Sequence, residues 1–188
     1  MNGQLILVKH SLPEIQENLP ACEWHLSDVG KLRAARLAET LKPYDIDFVA
    51  SSAEPKAVET ARIVAAKWEA DFQVFEGLHE QERSGVPYLS KLEFEKSIRQ
   101  CFERPGTLVF GGETADHAHE RFLKAVTSIL ANHENKSIVI VSHGTVISLF
   151  VSRLTGQPAF PLWSTLGLPG FVVLDVEKKE LVALENIL

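Results

Sequence analysis

The chain has 188 residues, 45% of them hydrophobic, and a formal charge of −6, enough apolar material for one core of ordinary size, so a single domain over 1–188 is expected. An acidic balance without a basic cluster lacks the electrostatic footing for gripping nucleic acid phosphates, which excludes nucleic acid as an expected partner. Cys22 and Cys101 are the only cysteines, too few for a disulfide framework and without the paired spacing of a structural zinc site.

An apolar strand, Leu5 to Lys9, opens the chain and ends on Lys9 and His10. No basic start, small-residue cleavage site or apolar stretch of roughly 20 residues is visible, so a cytoplasmic protein without a membrane partner is expected. A loop marked by Pro13 and Pro20 follows. From Ser27, a plausible cap, Val29, Leu32, Leu37 and Leu41 recur near helical spacing, and Pro43 stops the helix. Asp47 to Ser52 reads as a second strand, and Pro55 suits the first turn of the helix after it. Phe72 to Glu76 is a third strand candidate, and Gly77 to Pro87 a polar loop. Ser90 and Glu93 form a capping box ahead of another helix. A long helix then carries Phe122, Val126, Ile129 and Leu130 on one side. The apolar run Ile138 to Ser142 breaks off at His143, a helix closes at Gly156, and two late strand candidates, "FVVLDV" and "LVALE", complete the chain. Strands alternating with helices predict a three-layer α/β fold with a mostly parallel central sheet flanked by helices.

Ligands of such sheets bind beyond the carboxyl ends of the strands. Lys9-His10, Ser51-Ser52 and Ser142-His143 all lie at such ends. A single histidine there is most simply satisfied by a backbone carbonyl. Two placed alike, one preceded by a cation and one followed by a glycine and a helix start, point to a site that holds an anion. Lys56 reads as a solvated surface lysine, yet a cation in a first helical turn is poorly matched to the macrodipole, which favours a function. Nothing local distinguishes Glu80 from Glu82, and Glu113 reads equally well as a carboxylate at a helix start. His117 and His119, two apart on a helix, point to nearly opposite sides and cannot chelate one ion together, so no metal site is expected.

Taken in order, these segments resemble the histidine phosphatase superfamily, whose fold is called phosphoglycerate mutase-like. Lys9-His10-Ser11 matches its Arg-His-Gly signature, and "LSDVGKLRAARLAETL" its Leu-Thr/Ser-x-x-Gly helix. "SSAEPKAVETARIVA" matches its Ser-Ser-Pro-x-x-Arg-Ala-x-x-Thr-Ala segment, with Lys56 in the arginine's place. "GLHEQERSG" is similar to the loop that carries the family's acid, "GGETADHAHERF" to its Gly-Glu-Ser/Thr segment, and "VSHGTVISLFVSRLTG" to its closing Ser-His-Gly strand and helix. Lys9 and Lys56 both stand where the family has arginine, and Ser11 where it has glycine.

The resemblance implies hydrolysis of a small phosphomonoester by a metal-independent phosphatase without a cofactor. His10 would be the nucleophile that forms a phosphohistidine, and Glu80 the general acid. Lys9, Lys56 and His143 would bind the phosphoryl group. The substrate would be a small phosphorylated metabolite or a phosphoprotein. The alternatives are mutase-type return of the phosphoryl group to substrate, and a catalytically weak phosphate-binding member of the same fold.

Overall fold

The structure, a computed structural model, describes residues 4–188. Its centre is built from the two most continuous apolar runs. Leu5–Lys9 (β1) and Ile138–Ser142 (β4) pair in parallel, and apart from the half-buried Lys9 every one of their residues is buried. Strands covered on both faces read as unbroken apolar runs rather than as alternating ones.

Phe48–Ser51 (β2) pairs in parallel with β4, and Asp71–Val74 (β3) in parallel with β2. Gly170–Asp175 (β5) and Glu180–Asn186 (β6) run antiparallel on the other side of β1, which completes a six-stranded sheet of order β3-β2-β4-β1-β5-β6. The late apolar segments are thus strands, and they form an antiparallel flank of a mainly parallel sheet. β4 arrives late in the chain yet sits between β1 and β2. The carboxyl ends of these three neighbours therefore share one rim.

Helices Asp28–Thr40 (α1) and Pro55–Trp68 (α2) cover one face of the sheet. Leu37, Leu41, Ala57, Ala61 and Val64 pack there against Ile6, Val8, Val49, Val139 and Val141. On the opposite face Ala115–Asn132 (α4) and Gly144–Thr155 (α5) pack Phe122, Val126, Ile129, Val146 and Phe150 against Leu5, Leu7, Phe48, Ile138 and Ile140. Strand residues alternate between the two clusters, as the period of two requires. Lys91–Glu103 (α3) starts at the capping box of Ser90 and Glu93, and α5 ends at Gly156 with φ +77°. A short helix, Ala159–Thr165 (α6), was not anticipated in the stretch after Gly156. Among the described residues no helix is long and apolar enough to cross a membrane.

The apolar face expected of α1 holds at Leu37 and Leu41, both buried, and is corrected in the helix's first turns. Val29 and Leu32 are 51% and 68% exposed, and the buried positions are Gly30, Ala34, Leu37 and Ala38. The first turn of the helix comes so near the loop after β1 that only glycine fits at position 30: a Cβ on Gly30 would lie 2.0 Å from the Leu12 carbonyl oxygen. That oxygen accepts hydrogen bonds from the amide and hydroxyl of Ser27, so the loop cannot yield easily. Gly30→Ala is expected to destabilise the protein by about 1–3 kcal/mol, the range for overpacking a filled site. Leu32→Ala is expected to stay within about 0.5 kcal/mol, as for a surface substitution. Urea denaturation of both variants against wild type checks the pair, and equal costs would refute this account of the α1 face.

Candidate active site

Backbone pairing carries three polar strand ends to one place. The His10 amide donates to the Ser142 carbonyl at 2.9 Å and the Ser52 amide to the Val141 carbonyl at 3.0 Å, so the sheet continues one step past β1 and β2. The rings of His10 and His143 then stand edge to face with centroids 5.1 Å apart. His10 Nδ1 lies 2.8 Å from the Ser11 carbonyl oxygen. A carbonyl only accepts, so Nδ1 holds the proton and Nε2 keeps its lone pair. Burial, reinforced by His143 and Lys56, lowers the His10 pKa well below 6.5 against the opposing pull of that hydrogen bond. The ring is neutral at physiological pH. Ser11 is fixed in turn: its amide donates to Thr60 Oγ1 at 3.0 Å and its hydroxyl to the Gly30 carbonyl at 2.7 Å.

His143 is buried, with Nε2 2.9 Å from Ser52 Oγ and 3.3 Å from Glu54 Oε1. Its Nδ1 is buried and has no hydrogen-bond partner among the described residues. Burial and the charge of Lys56 lower the His143 pKa well below 6.5, outweighing the attraction of Glu80. Lys56 is not a solvated surface residue; it is 5% exposed. Its Nζ lies 2.5 Å from Glu54 Oε2 and 2.5 Å from the Ala21 carbonyl oxygen. Lys9 points to the same rim and donates from Nζ to the Leu166 carbonyl at 2.8 Å. Burial pushes its pKa down to about 8, with Glu80 working against that shift and Arg83 with it.

The structure separates the three candidate acids. Glu80 reaches the start of α5, where its carboxylate accepts from the amides of Thr145 and Val146 at 3.2 and 3.3 Å. Its Oε2 also lies 3.2 Å from the Arg83 guanidinium. Burial alone would raise the Glu80 pKa, but Arg83, His143 and the Gln81 and Thr145 amides outweigh it and hold the carboxyl at about 2. Glu82 is exposed and accepts from the Ser84 hydroxyl. Glu113 is paired with Arg121, whose guanidinium also donates to the carbonyls of Gly77, His79 and Glu80. Of the three, only Glu80 reaches the histidine rim; Glu113 shapes the loop that brings it there.

Two residues of this cluster carry no role in the sequence reading. Glu54 joins Lys56 to His143, and its Oε1 also accepts from the Glu80 amide at 2.9 Å. Arg83 donates to Thr145 Oγ1 at 2.8 Å, with its guanidinium carbon 4.8 Å from the Phe94 ring centroid. Spacing held a signal for both, since Glu54 stands two before Lys56 and Arg83 three after Glu80, but charged neighbours in a loop are too common to single out. Trp163 closes one side of the rim: a Cβ on Gly144 would lie 3.3 Å from both Trp163 Nε1 and Lys9 Cε. His117 is exposed, while His119 is buried beside Arg153, so the structure does not bring them together. Among the described residues no group of His, Cys, Asp and Glu side chains is set to hold a metal ion.

Among the described residues the arrangement offers a neutral imidazole with no partner at Nε2, a second imidazole beside it, cationic groups from β1, α2 and the loop at Arg83, and two carboxylates, Glu80 and Glu54, each at a helix start. Such a set can stabilise a tetrahedral oxyanion and accept a covalent bond at nitrogen.

Residues 5–185 match the model of the Histidine phosphatase superfamily (branch 1). Over 141 residues the chain is 34% identical to Phosphoglycerate mutase-like protein 4 of Arabidopsis thaliana, covering 68% of this chain and 59% of that protein, less than two thirds of its length. It is 25% identical over 139 residues to Adenosylcobalamin/alpha-ribazole phosphatase of Escherichia coli (strain K12), covering 71% of this chain and 68% of that protein. Among solved structures, a variant of phosphoserine phosphatase from Entamoeba histolytica in complex with phosphoserine superposes with a TM-score of 0.78 at 19% identity, over 98% of this chain and 97% of that one. The mycobacterial glucosyl-3-phosphoglycerate phosphatase does so with a TM-score of 0.73 at 19% identity, over 92% and 90%. At such identities the superpositions establish a shared fold, while the match over residues 5–185 reaches the sequence itself: the chain belongs to the histidine phosphatase superfamily, branch 1.

Proposed function

We propose that the protein is a metal-independent phosphatase that hydrolyses a small phosphomonoester through a phosphohistidine on His10. The observation that carries this reading is the fixed tautomer of His10: with Nδ1–H on the Ser11 carbonyl, the Nε2 lone pair faces the rim shared with His143. Phosphatases of phosphorylated metabolites among its relatives and structural neighbours support the substrate class.

In this reading Lys9, Lys56 and His143 hold the phosphoryl oxygens and His10 Nε2 attacks phosphorus in line with the ester oxygen. The N–P bond forms as the P–O ester bond breaks, and the leaving oxygen needs a proton. Glu80 is ionised at rest. A phosphate dianion bound beside it raises its affinity for a proton, which it passes to the leaving oxygen. The resulting carboxylate then takes a proton from the water that attacks phosphorus, the N–P bond breaks, and inorganic phosphate leaves a neutral His10. A second reading, a phosphate-binding member with weak turnover, is favoured by the occupation of Lys9 and Lys56 by protein acceptors.

Three outcomes test the enzyme. With chelator present throughout, wild type should turn over an aryl phosphate and His10→Ala should not, and quenching wild type mid-reaction should trap acid-labile, base-stable phosphate on His10. Label on a serine, or full activity in the variant, would remove the mechanism. Weak binding without turnover in wild type would favour the second reading.

Lys9 supplies a pH limb. Its charge is present below about 8 and lost above it, so kcat/KM, which reports the free enzyme, should fall as pH rises past about 8. Lys9→Arg should remove that limb, and Lys9→Ala should cost on the order of 10²-fold at neutral pH, as loss of one charge-stabilising donor does. An alanine variant with wild-type efficiency would take Lys9 out of the site.

Glu80→Gln should slow alkyl phosphates far more than aryl phosphates, because a good leaving group hardly needs protonation. Equal slowing of both would show that Glu80 is not the proton donor.

A further inference from the structure

Glu54 is the buried charge that the phosphatase reading leaves without a task. It is the residue before Pro55, at the cap position of α2, yet its side chain accepts no capping hydrogen bond from the helix amides. A carboxylate there ordinarily accepts from the first-turn amides. Instead it reaches across the rim: Oε2 is 2.5 Å from Lys56 Nζ, while Oε1 is 3.3 Å from His143 Nε2 and 2.9 Å from the Glu80 amide. The side chains of Glu54, Lys56 and His143 are 10%, 6% and 1% exposed.

A carboxylate and a phosphoryl group ask for the same partners. Both are flat or tetrahedral arrays of oxygen that accept from ammonium, imidazole N–H and backbone amide. Lys56 and His143 are the groups assigned to the phosphoryl oxygens, and both are already held by Glu54. A phosphate dianion placed beside that carboxylate, away from bulk water, meets a like charge at close range. We propose that Glu54 is an internal counter-anion that occupies the phosphoryl subsite at rest and must release Lys56 and His143 before a phosphate dianion binds, so that it sets the affinity of the site. This rests on reading the rim as a phosphate pocket. Glu54 then acts through Lys56 and His143, and is a residue that governs specificity rather than one that touches substrate.

The competing role is scaffolding, in which Glu54 merely holds Lys56 and His143 in place. Glu54→Gln separates the two, because it keeps the side chain's shape and one acceptor oxygen, for either Lys56 or the Glu80 amide, while the charge is gone. Binding of inorganic phosphate to wild type and to the variant would be measured by titration calorimetry, and KM and kcat on phenyl phosphate in parallel. The expected result is phosphate affinity higher by about tenfold or more, since one adjacent like charge at reduced dielectric outweighs a factor of ten. KM should fall by a similar factor with a smaller change in kcat, and binding of the monoanion nitrate should improve less than that of phosphate. Equal or weaker phosphate binding by Glu54→Gln, with wild type binding phosphate, overturns the inference and leaves the phosphatase reading standing. Absence of phosphate binding in both proteins overturns both. A crystal structure of wild type with phosphate serves if the variant does not fold: Glu54 should have left Lys56 Nζ, and a phosphate bound elsewhere with the Glu54–Lys56 pair intact counts against the proposal.

Discussion

The register of β1 against β4 is the constraint from which the site follows. Lys9 lies opposite Ser142, so the next residue on each strand is a histidine, and the hydrogen bond from the His10 amide to the Ser142 carbonyl carries the pairing past the last strand residue. A slip of one residue would turn every side chain of a strand to the other face of the sheet. Leu5, Leu7, Ile138 and Ile140 would then leave the α4–α5 side, while Ile6, Val8, Val139 and Val141 would leave the α1–α2 side. Both faces are packed with apolar side chains, so the register is held by two cores at once. Hydrophobic burial away from the site therefore fixes the backbone positions of the two histidines, and hydrogen bonds to the Ser11 carbonyl and the Ser52 hydroxyl orient their rings.

A rim so deeply set in the fold needs partners for its charges, because an isolated buried ion is expensive. The protein supplies them in a chain. Arg121 on α4 pairs with Glu113 and gathers the carbonyls of Gly77, His79 and Glu80. That fixes the loop from which Glu80 and Arg83 reach the amino end of α5, where a carboxylate complements the helix dipole. Phe94 and Phe110 flank the Arg83 guanidinium, with ring centroids 4.8 and 5.7 Å from its central carbon. Positioning thus runs from α4 through one arginine to the loop, and from the loop to the histidines.

Much of this was legible in the sequence because it rests on patterns of short range. The apolar runs, the Ser90–Glu93 capping box and Gly156 at the end of α5 are local signals, and the structure has each where the sequence places it. The meeting of His10, Ser52 and His143 followed from strand ends in a parallel sheet. The buried face of α1 followed only at Leu37 and Leu41, because periodicity counts large apolar residues and the start of the helix buries the small Gly30 and Ala34 instead, Gly30 against a neighbouring backbone. Among Glu80, Glu82 and Glu113 the local residues gave no distinction and only the family resemblance favoured Glu80, since which side chain reaches α5 and which meets Arg121 depends on the fold. Glu54 was hidden for the same reason: its partners come from α2, the end of β4 and the Glu80 loop.

Lysine at position 56 and glutamate at position 54 are best understood as one unit. An ammonium is a compact charge with three donors on a flexible stem, whereas a guanidinium spreads its charge over a planar fork and is more weakly hydrated. Buried, an ammonium has more hydration to replace, and here the Ala21 carbonyl and the Glu54 carboxylate replace it. The carboxylate that makes a lysine tolerable at this depth also cancels the charge an incoming phosphoryl group would seek. Around the rim Lys9, Lys56 and Arg83 face Glu54 and Glu80, three cationic side chains against two carboxylates. Such a rim is close to balanced in charge, so in the phosphatase we propose, affinity for an anion would depend less on how many cations it contains than on how readily its own carboxylates give way.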